Sequence, residues 1–177
     1  MGEIKKVIEK YINDGLPKLF VFDLDYTLWP FWVDTHVQPP FVKDKHGRVS
    51  DAYRKEIRLY PGVREILDNL KHFKCQIAAA SRTDTPKAAR DLMSVIGIDH
   101  HFDFKEIYPG KKTQHFQKFR ENSGFDYHEM VFFDDEHRNI VDISKLGVTC
   151  VLVEEGLSAK YLEEALLSFK KNFMKTK

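Results

Sequence analysis

The sequence has little of what would set it apart from an ordinary globular fold. It carries two cysteines in 177 residues. Cys75 and Cys150 each sit in an apolar, strand-like run, so both are expected to be reduced core thiols rather than a disulfide. Net charge is almost absent, at +1, which argues against a general nucleic-acid or membrane-surface binder. No apolar run approaches the ~20 residues that span a bilayer. Residues 1–10 are charged and lack the apolar core of a secretory signal, so a cytoplasmic location is expected. There is no internal repeat, low-complexity segment or linker. Charged residues at 31% and hydrophobic ones at 42% fall in the soluble globular range. One domain over 1–177, with a sizeable core and monomeric, is the expectation.

What is present begins at Leu19-Phe20-Val21-Phe22, an unbroken apolar run that meets two carboxylates, Asp23 and Asp25. A short run of this kind reads as a strand buried on both faces, which belongs to a parallel sheet covered by helices. Ligands of such sheets bind beyond the carboxyl ends of the strands. A carboxylate there needs a cation, a hydrogen bond or water.

The rest of the chain alternates around that strand. Glu3 to Asn13 places Ile4, Val7, Ile8, Tyr11 and Ile12 on one helical face, giving a helical extension over 1–16. From about 29 to 60 there is no helical period. Pro39-Pro40 and the turn Lys45-His46-Gly47-Arg48 read as a hairpin-like insertion. Helices are expected from Pro61 to Leu70, Pro86 to Ile96 with Thr85 as cap, Thr113 to Asn122, after Asp135 to Lys145, and Ala159 to Phe173 with Ser158 as cap. Strands are expected at Cys75–Ala80, Phe102–Ile107, Met130–Phe133 and Val148–Val153. The alternation predicts a doubly wound α/β domain with a mainly parallel sheet and helices on both faces. Lys170, Lys171, Lys175 and Lys177 read as a solvated, fraying end.

Four strand ends carry polar groups: Asp23/Asp25, Ser81/Arg82, Lys111/Lys112 and Asp134/Asp135. A parallel sheet delivers them to one edge, and these are the residue types that phosphoryl transfer uses. The string Asp23-Leu24-Asp25-Tyr26-Thr27-Leu28 resembles the first motif of the haloacid dehalogenase superfamily of phosphohydrolases, and the other three strand ends follow in that family's order. Longer strings resemble its magnesium-dependent phosphatase-1 family: Phe22 to Trp32, Ala79-Ala80-Ser81-Arg82-Thr83, Ile107-Tyr108-Pro109-Gly110 and Phe132-Phe133-Asp134-Asp135-Glu136.

That resemblance implies a haloacid dehalogenase-like fold in which the 29–60 insertion replaces a large cap domain. It also implies a Mg²⁺-dependent phosphomonoesterase. The substrate would be a phosphate ester: phosphotyrosine, or a sugar phosphate including phosphorylated glycation adducts. Asp23 would be the nucleophile, forming an aspartyl-phosphate, and Asp25 the general acid and then base. Asp25 would need a raised pKa, with Asp23 pushing it up. Backbone N–H groups of Leu24, Tyr26 and Thr27 would cradle phosphate, with Ser81 and Arg82 contacting it. Lys112 would neutralise developing charge, though pattern alone does not separate it from Lys111. The Asp23 carboxylate, the Asp25 carbonyl and Asp135 would hold Mg²⁺, with Asp134 behind them holding waters; the Asp134/Asp135 order could be the reverse.

Other candidates have plainer uses. His100-His101 is expected to be a solvated pair, and His137 to be turned away by the helix it opens. Trp29, Phe31 and Trp32 fit either an aromatic entrance or the packing beneath the insertion. Two rival functions are a phosphotransferase using an acceptor other than water and a non-catalytic phosphate-binding module. A module of that kind has no need of Asp23, Asp25, Ser81, Lys112 and Asp135 together.

Overall fold

The computed structural model describes residues 2–175; Lys177 of the expected fraying end lies outside them. At the centre is β1 (Leu19–Phe22), buried along its whole length. It pairs in parallel with β5 (Gln76–Ser81) on one side and β7 (Met130–Asp134) on the other. β6 (Phe104–Ile107) and β8 (Thr149–Leu152) complete a five-stranded parallel sheet of order β6-β5-β1-β7-β8. The observed strands lie within one or two residues of the expected ones.

The two faces of β1 alternate. Leu19 and Val21 pack with Phe116 and Phe119 of α4 (Lys112–Ser123) and Ile143 of α5 (His137–Ser144). Phe20 and Phe22 pack in a larger core. That core takes in α1 (Glu3–Tyr11), α2 (Val63–His72), α3 (Pro86–Ile96) and α6 (Ala159–Lys175). Pro86 stands at the first turn of α3, where its missing N–H costs nothing. The expected Thr85 cap makes no side-chain capping bond; its N–H goes instead to Thr83 Oγ1 at 3.2 Å. α6 runs past Phe173 to Lys175. Lys170 is not simply solvated, because its Nζ lies 2.8 Å from the Asp14 carboxylate.

The insertion is more built than one hairpin. Three two-residue strands, β2 (Val42–Lys43), β3 (Val49–Ser50) and β4 (Glu56–Ile57), form an antiparallel sheet of order β2-β3-β4. Its root is apolar: Trp29, Phe31, Val33, Val37, Phe41, Val49 and Ile57 are buried in the same core as α2 and α3. Asp51 ties the turn between β3 and β4, accepting the N–H groups of Gln38, Tyr53 and Lys55. The loop after β8 seals the other side of the insertion. Gly156 has φ +82°, and a Cβ there would stand 2.3 Å from the Tyr60 ring. Only glycine lets the ring approach that backbone.

His101 departs from expectation. It is buried, with Nε2 2.6 Å from the Asp68 carboxylate and Nδ1 3.1 Å from the Ile98 carbonyl. Of the pair, His100 alone is exposed. Cys75 and Cys150 are free. Burial pushes their thiols up, to about 11 and about 12.

Candidate active site at the carboxyl edge of the sheet

Strand register sets the site. Phe22 lies opposite Ala79 of β5 and Phe133 of β7, so Asp23 emerges level with Ala80 and Asp134, one residue short of Ser81. The Asp23 N–H still reaches the Phe133 carbonyl at 2.9 Å, which holds the residue in the sheet frame. A cavity of about 390 Å³ opens there. Asp23, Asp25, Ser81, Arg82, Lys112 and Asp135 all line it. Lys111, His100, His101 and His137 do not.

Lys112 is the electrostatic centre. It opens α4, is buried, and places Nζ 2.6 Å from Asp23 Oδ1 and 2.5 Å from Asp134 Oδ2. Lys111 stands one residue outside the helix and is exposed. Burial works against the charge on Lys112, but the two carboxylates more than offset it and hold the ammonium above its ordinary pKa. Burial pushes the Asp23 carboxyl well above the usual carboxylate range; Lys112 opposes this, and the charges of Asp134 and Asp25 reinforce it. Asp135 rises to about 6, chiefly from burial and then from the like charge of Asp134.

Asp23, Asp134 and Asp135 each offer a carboxylate oxygen, all within 4.8 Å of one another. One ammonium does not balance three crowded carboxylates. An all-oxygen, anion-rich donor set of this kind suits a hard divalent cation. Asp134 is the most committed of the three. Oδ2 takes Lys112 and the Asn139 amide at 3.1 Å, while Oδ1 takes the Glu136 N–H at 2.7 Å.

Asp25 is set differently. Its Oδ1 accepts the Trp29 indole N–H at 2.7 Å and the Val33 N–H at 3.2 Å. Its pKa rises to about 6. Burial is the main cause, opposed by those two hydrogen bonds, and repulsion from Asp34 adds to it.

The loop that begins at Asp23 does not offer the expected row of N–H groups. Tyr26, at φ 55°, gives its N–H to the Trp29 carbonyl, and Thr27 gives its own to Leu24. Both are therefore committed within the loop. The Leu24 N–H is not among the loop's own hydrogen bonds, while the Leu24 side chain is fully buried.

The aromatics divide. Trp29 and Phe31 stack on each other and are buried. Trp32 is 49% exposed, lines the cavity, stacks on His36 and meets the edge of Tyr26. Several lining residues escaped the sequence: Asp34 and Thr35 from the insertion, Thr83 and Asp84 after β5, and Arg138 and Asn139 in α5. Asp34 lies 3.5 Å from the Thr83 hydroxyl. Only the indole donor four residues after Asp25 left a trace that spacing could have revealed.

Known proteins resemble this chain closely. The acid phosphatase family matches residues 15–172. The human protein named magnesium-dependent phosphatase 1 is 49% identical over 156 residues, 88% of this chain and 89% of that protein. A HAD-like hydrolase superfamily protein of Schizosaccharomyces pombe is 40% identical, covering 92% of this chain and 97% of its own. The solved L-2-haloacid dehalogenase of Xanthobacter autotrophicus shares the fold, with a TM-score of 0.58 at 14% identity over 86% of this chain and 83% of that one.

Proposed function

The chain belongs to the magnesium-dependent phosphatase-1 family of the haloacid dehalogenase superfamily, and from that footing we propose that it is a Mg²⁺-dependent phosphomonoesterase working through an aspartyl-phosphate on Asp23. The observation that carries this reading is Lys112, buried between Asp23 and Asp134 with Asp135 beside them. Such a cluster sets an ammonium directly against a carboxylate nucleophile and a second anion, opposing the burial and like charge that raise the Asp23 pKa.

The chemistry follows from the side chains. An Asp23 carboxylate oxygen attacks phosphorus in line. The ester P–O bond breaks, its electron pair goes to the leaving oxygen, and Asp25 supplies the proton. A carboxyl near 6 keeps a protonated fraction close to neutral pH. Asp25 carries that proton on Oδ2, since both of its protein donors fall on Oδ1. Asp25, now ionised, takes a proton from water as the water oxygen attacks the phosphoryl group, freeing Asp23 and inorganic phosphate. Ser81, Arg82 and the Leu24 N–H bind phosphate oxygens, and Lys112 stabilises the charge spread over them in the transition state.

The donor set fits the metal. Asp23, Asp135 and the Asp25 carbonyl would hold Mg²⁺, with Asp134 occupied in orienting Lys112 and Asn139. When bound, Mg²⁺ supplies positive charge that offsets repulsion between nucleophile and phosphate dianion.

The substrates proposed are phosphotyrosine and sugar phosphates, including phosphorylated glycation adducts. The exposed face of Trp32 at the cavity supports either, since phenyl and sugar rings both pack on an indole. The test is hydrolysis of p-nitrophenyl phosphate with and without Mg²⁺, on the wild type and Asp23→Asn, followed by a panel of phosphate esters. Magnesium-dependent turnover lost in Asp23→Asn is expected. A mutant that keeps most of the activity refutes the nucleophile.

A further inference from the structure

Beyond the proposed catalytic set, one side chain joins two of its parts. Asn139 lies in the first turn of α5 and is buried. Its Nδ2 donates to Asp134 Oδ2 at 3.1 Å, and its Oδ1 accepts from Arg82 Nη1 at 3.3 Å. The orientation of the amide is not arbitrary. Asp134 as a carboxylate can only accept, and a guanidinium can only donate. One carboxamide satisfies both, and no carboxylate or amine could.

The Arg82 end is unfinished. Its Nε is buried with no hydrogen-bond partner among the described residues, and Arg82 and Asn139 both line the cavity. A buried guanidinium donor without an acceptor is costly unless a ligand supplies one. On a flexible stem an arginine would turn toward solvent or toward a neighbouring carboxylate, and Asp84 and Glu136, the latter paired with Arg138, line the same cavity. Fixed at Nη1, the fork is presented to the cavity with donors to spare, a geometry suited to two oxygens of one phosphate.

We infer that Asn139 is a positioning residue. It acts through Arg82 by tethering the guanidinium to the Asp134–Lys112 pair, so that phosphate-ester binding and the catalytic charges share one rigid frame. The role rests on the phosphatase reading above, and its failure is separable from that reading's failure.

The test is a double-mutant cycle of Asn139→Ala and Arg82→Ala. For each form, KM and kcat are measured with p-nitrophenyl phosphate, and binding of inorganic phosphate is measured by competitive inhibition and by its shift of thermal unfolding. Asn139→Ala is expected to raise KM and the phosphate inhibition constant ~10-fold, as for one hydrogen bond to a charged group, and to change kcat less. In the Arg82→Ala background the same substitution should add less than about twofold, because coupled residues are not additive.

Equal effects in both backgrounds would place the role of Asn139 at Asp134 and overturn the inference. So would a loss of kcat at unchanged KM. Should the alanine variant unfold, Asn139→Leu fills the space without bonding either neighbour, and the same two patterns decide. A folded wild type that neither binds phosphate nor hydrolyses any ester would overturn the phosphatase reading itself, and this inference with it.

Discussion

Lys112→Met asks the most of the proposed site. Methionine keeps the length and removes the ammonium, so Asp23 and Asp134 lose the cation now 2.6 Å and 2.5 Å away. Breaking a buried pair by deleting one partner costs ~3–5 kcal/mol, because the remaining charge is left uncompensated. Here two carboxylates share one cation, so the upper half of that range is expected. For a chain of this size each kcal/mol moves the melting temperature ~2–4 °C, giving a fall of about 8–20 °C at pH 7.5.

The deficit carries a sign in pH. With the ammonium gone, the Asp23 carboxyl, already raised by burial, loses the cation that opposes the rise and goes higher. A folded-state carboxyl pKa above the unfolded value of 3.8 means that the unfolded chain ionises first. Stability then falls as pH climbs from about 4 through the raised value. The variant should therefore recover toward wild type near pH 5 and be weakest near pH 8. Urea unfolding at those two pH values, with p-nitrophenyl phosphate turnover down at least ~100-fold, measures both consequences. A variant within about 1 kcal/mol of wild type at pH 8, or keeping a tenth of its activity, refutes the electrostatic account of the cluster.

Three other outcomes are expected. His115 is buried, with Nε2 near the Ser81 and Tyr108 carbonyls, and burial holds its pKa below the ordinary imidazole value. The unfolded chain thus takes the proton first, and stability should decline as pH falls from about 6.5 toward the folded value; His115→Gln should flatten that part of the curve, and an unchanged slope contradicts it. Gly156→Ala meets both a positive φ and the Tyr60 ring, so a loss of ~2–4 kcal/mol in denaturant is expected, whereas a neutral result would mean that the loop yields freely. The Cys75 and Cys150 thiols, at about 11 and about 12, should resist iodoacetamide at pH 7.5 until urea unfolds the chain; alkylation of the native protein at the rate of a free peptide thiol would show the burial argument to be wrong.

The parts legible in the sequence were those written in periodicity and in strand ends. Leu19–Phe22 announced a doubly buried strand, and the polar residues after β1, β5 and β7 come to one edge because parallel register carries them there. Lys112 was separable from Lys111 only in three dimensions, since which lysine faces Asp23 depends on where α4 begins. Partnerships across the chain left no local sign. Asp68 lies 33 residues from His101, and Arg82 lies 57 from Asn139. The Tyr26 and Thr27 N–H groups looked available because the sequence does not reveal that the loop consumes them itself. Asp34 went unnoticed for a related reason: an insertion without periodicity gives no hint of which side chain folds back over the site.

The apolar root of the insertion bears on the time course of turnover. A cap that closes over its substrate adds an opening step, and such steps often limit release. Here Trp29, Phe31, Val33 and Val37 are set in the same core as the sheet helices, so the wall that carries Trp32 and Asp34 moves with the body of the domain. Entry and departure become matters of diffusion through a standing mouth, and on the proposed mechanism water would reach the phosphorylated aspartate by the same route. If Asp23 is the nucleophile, the clock of the cycle would lie in the bond-breaking steps there, and a phosphoryl group held on it would have little shelter in which to wait for another acceptor.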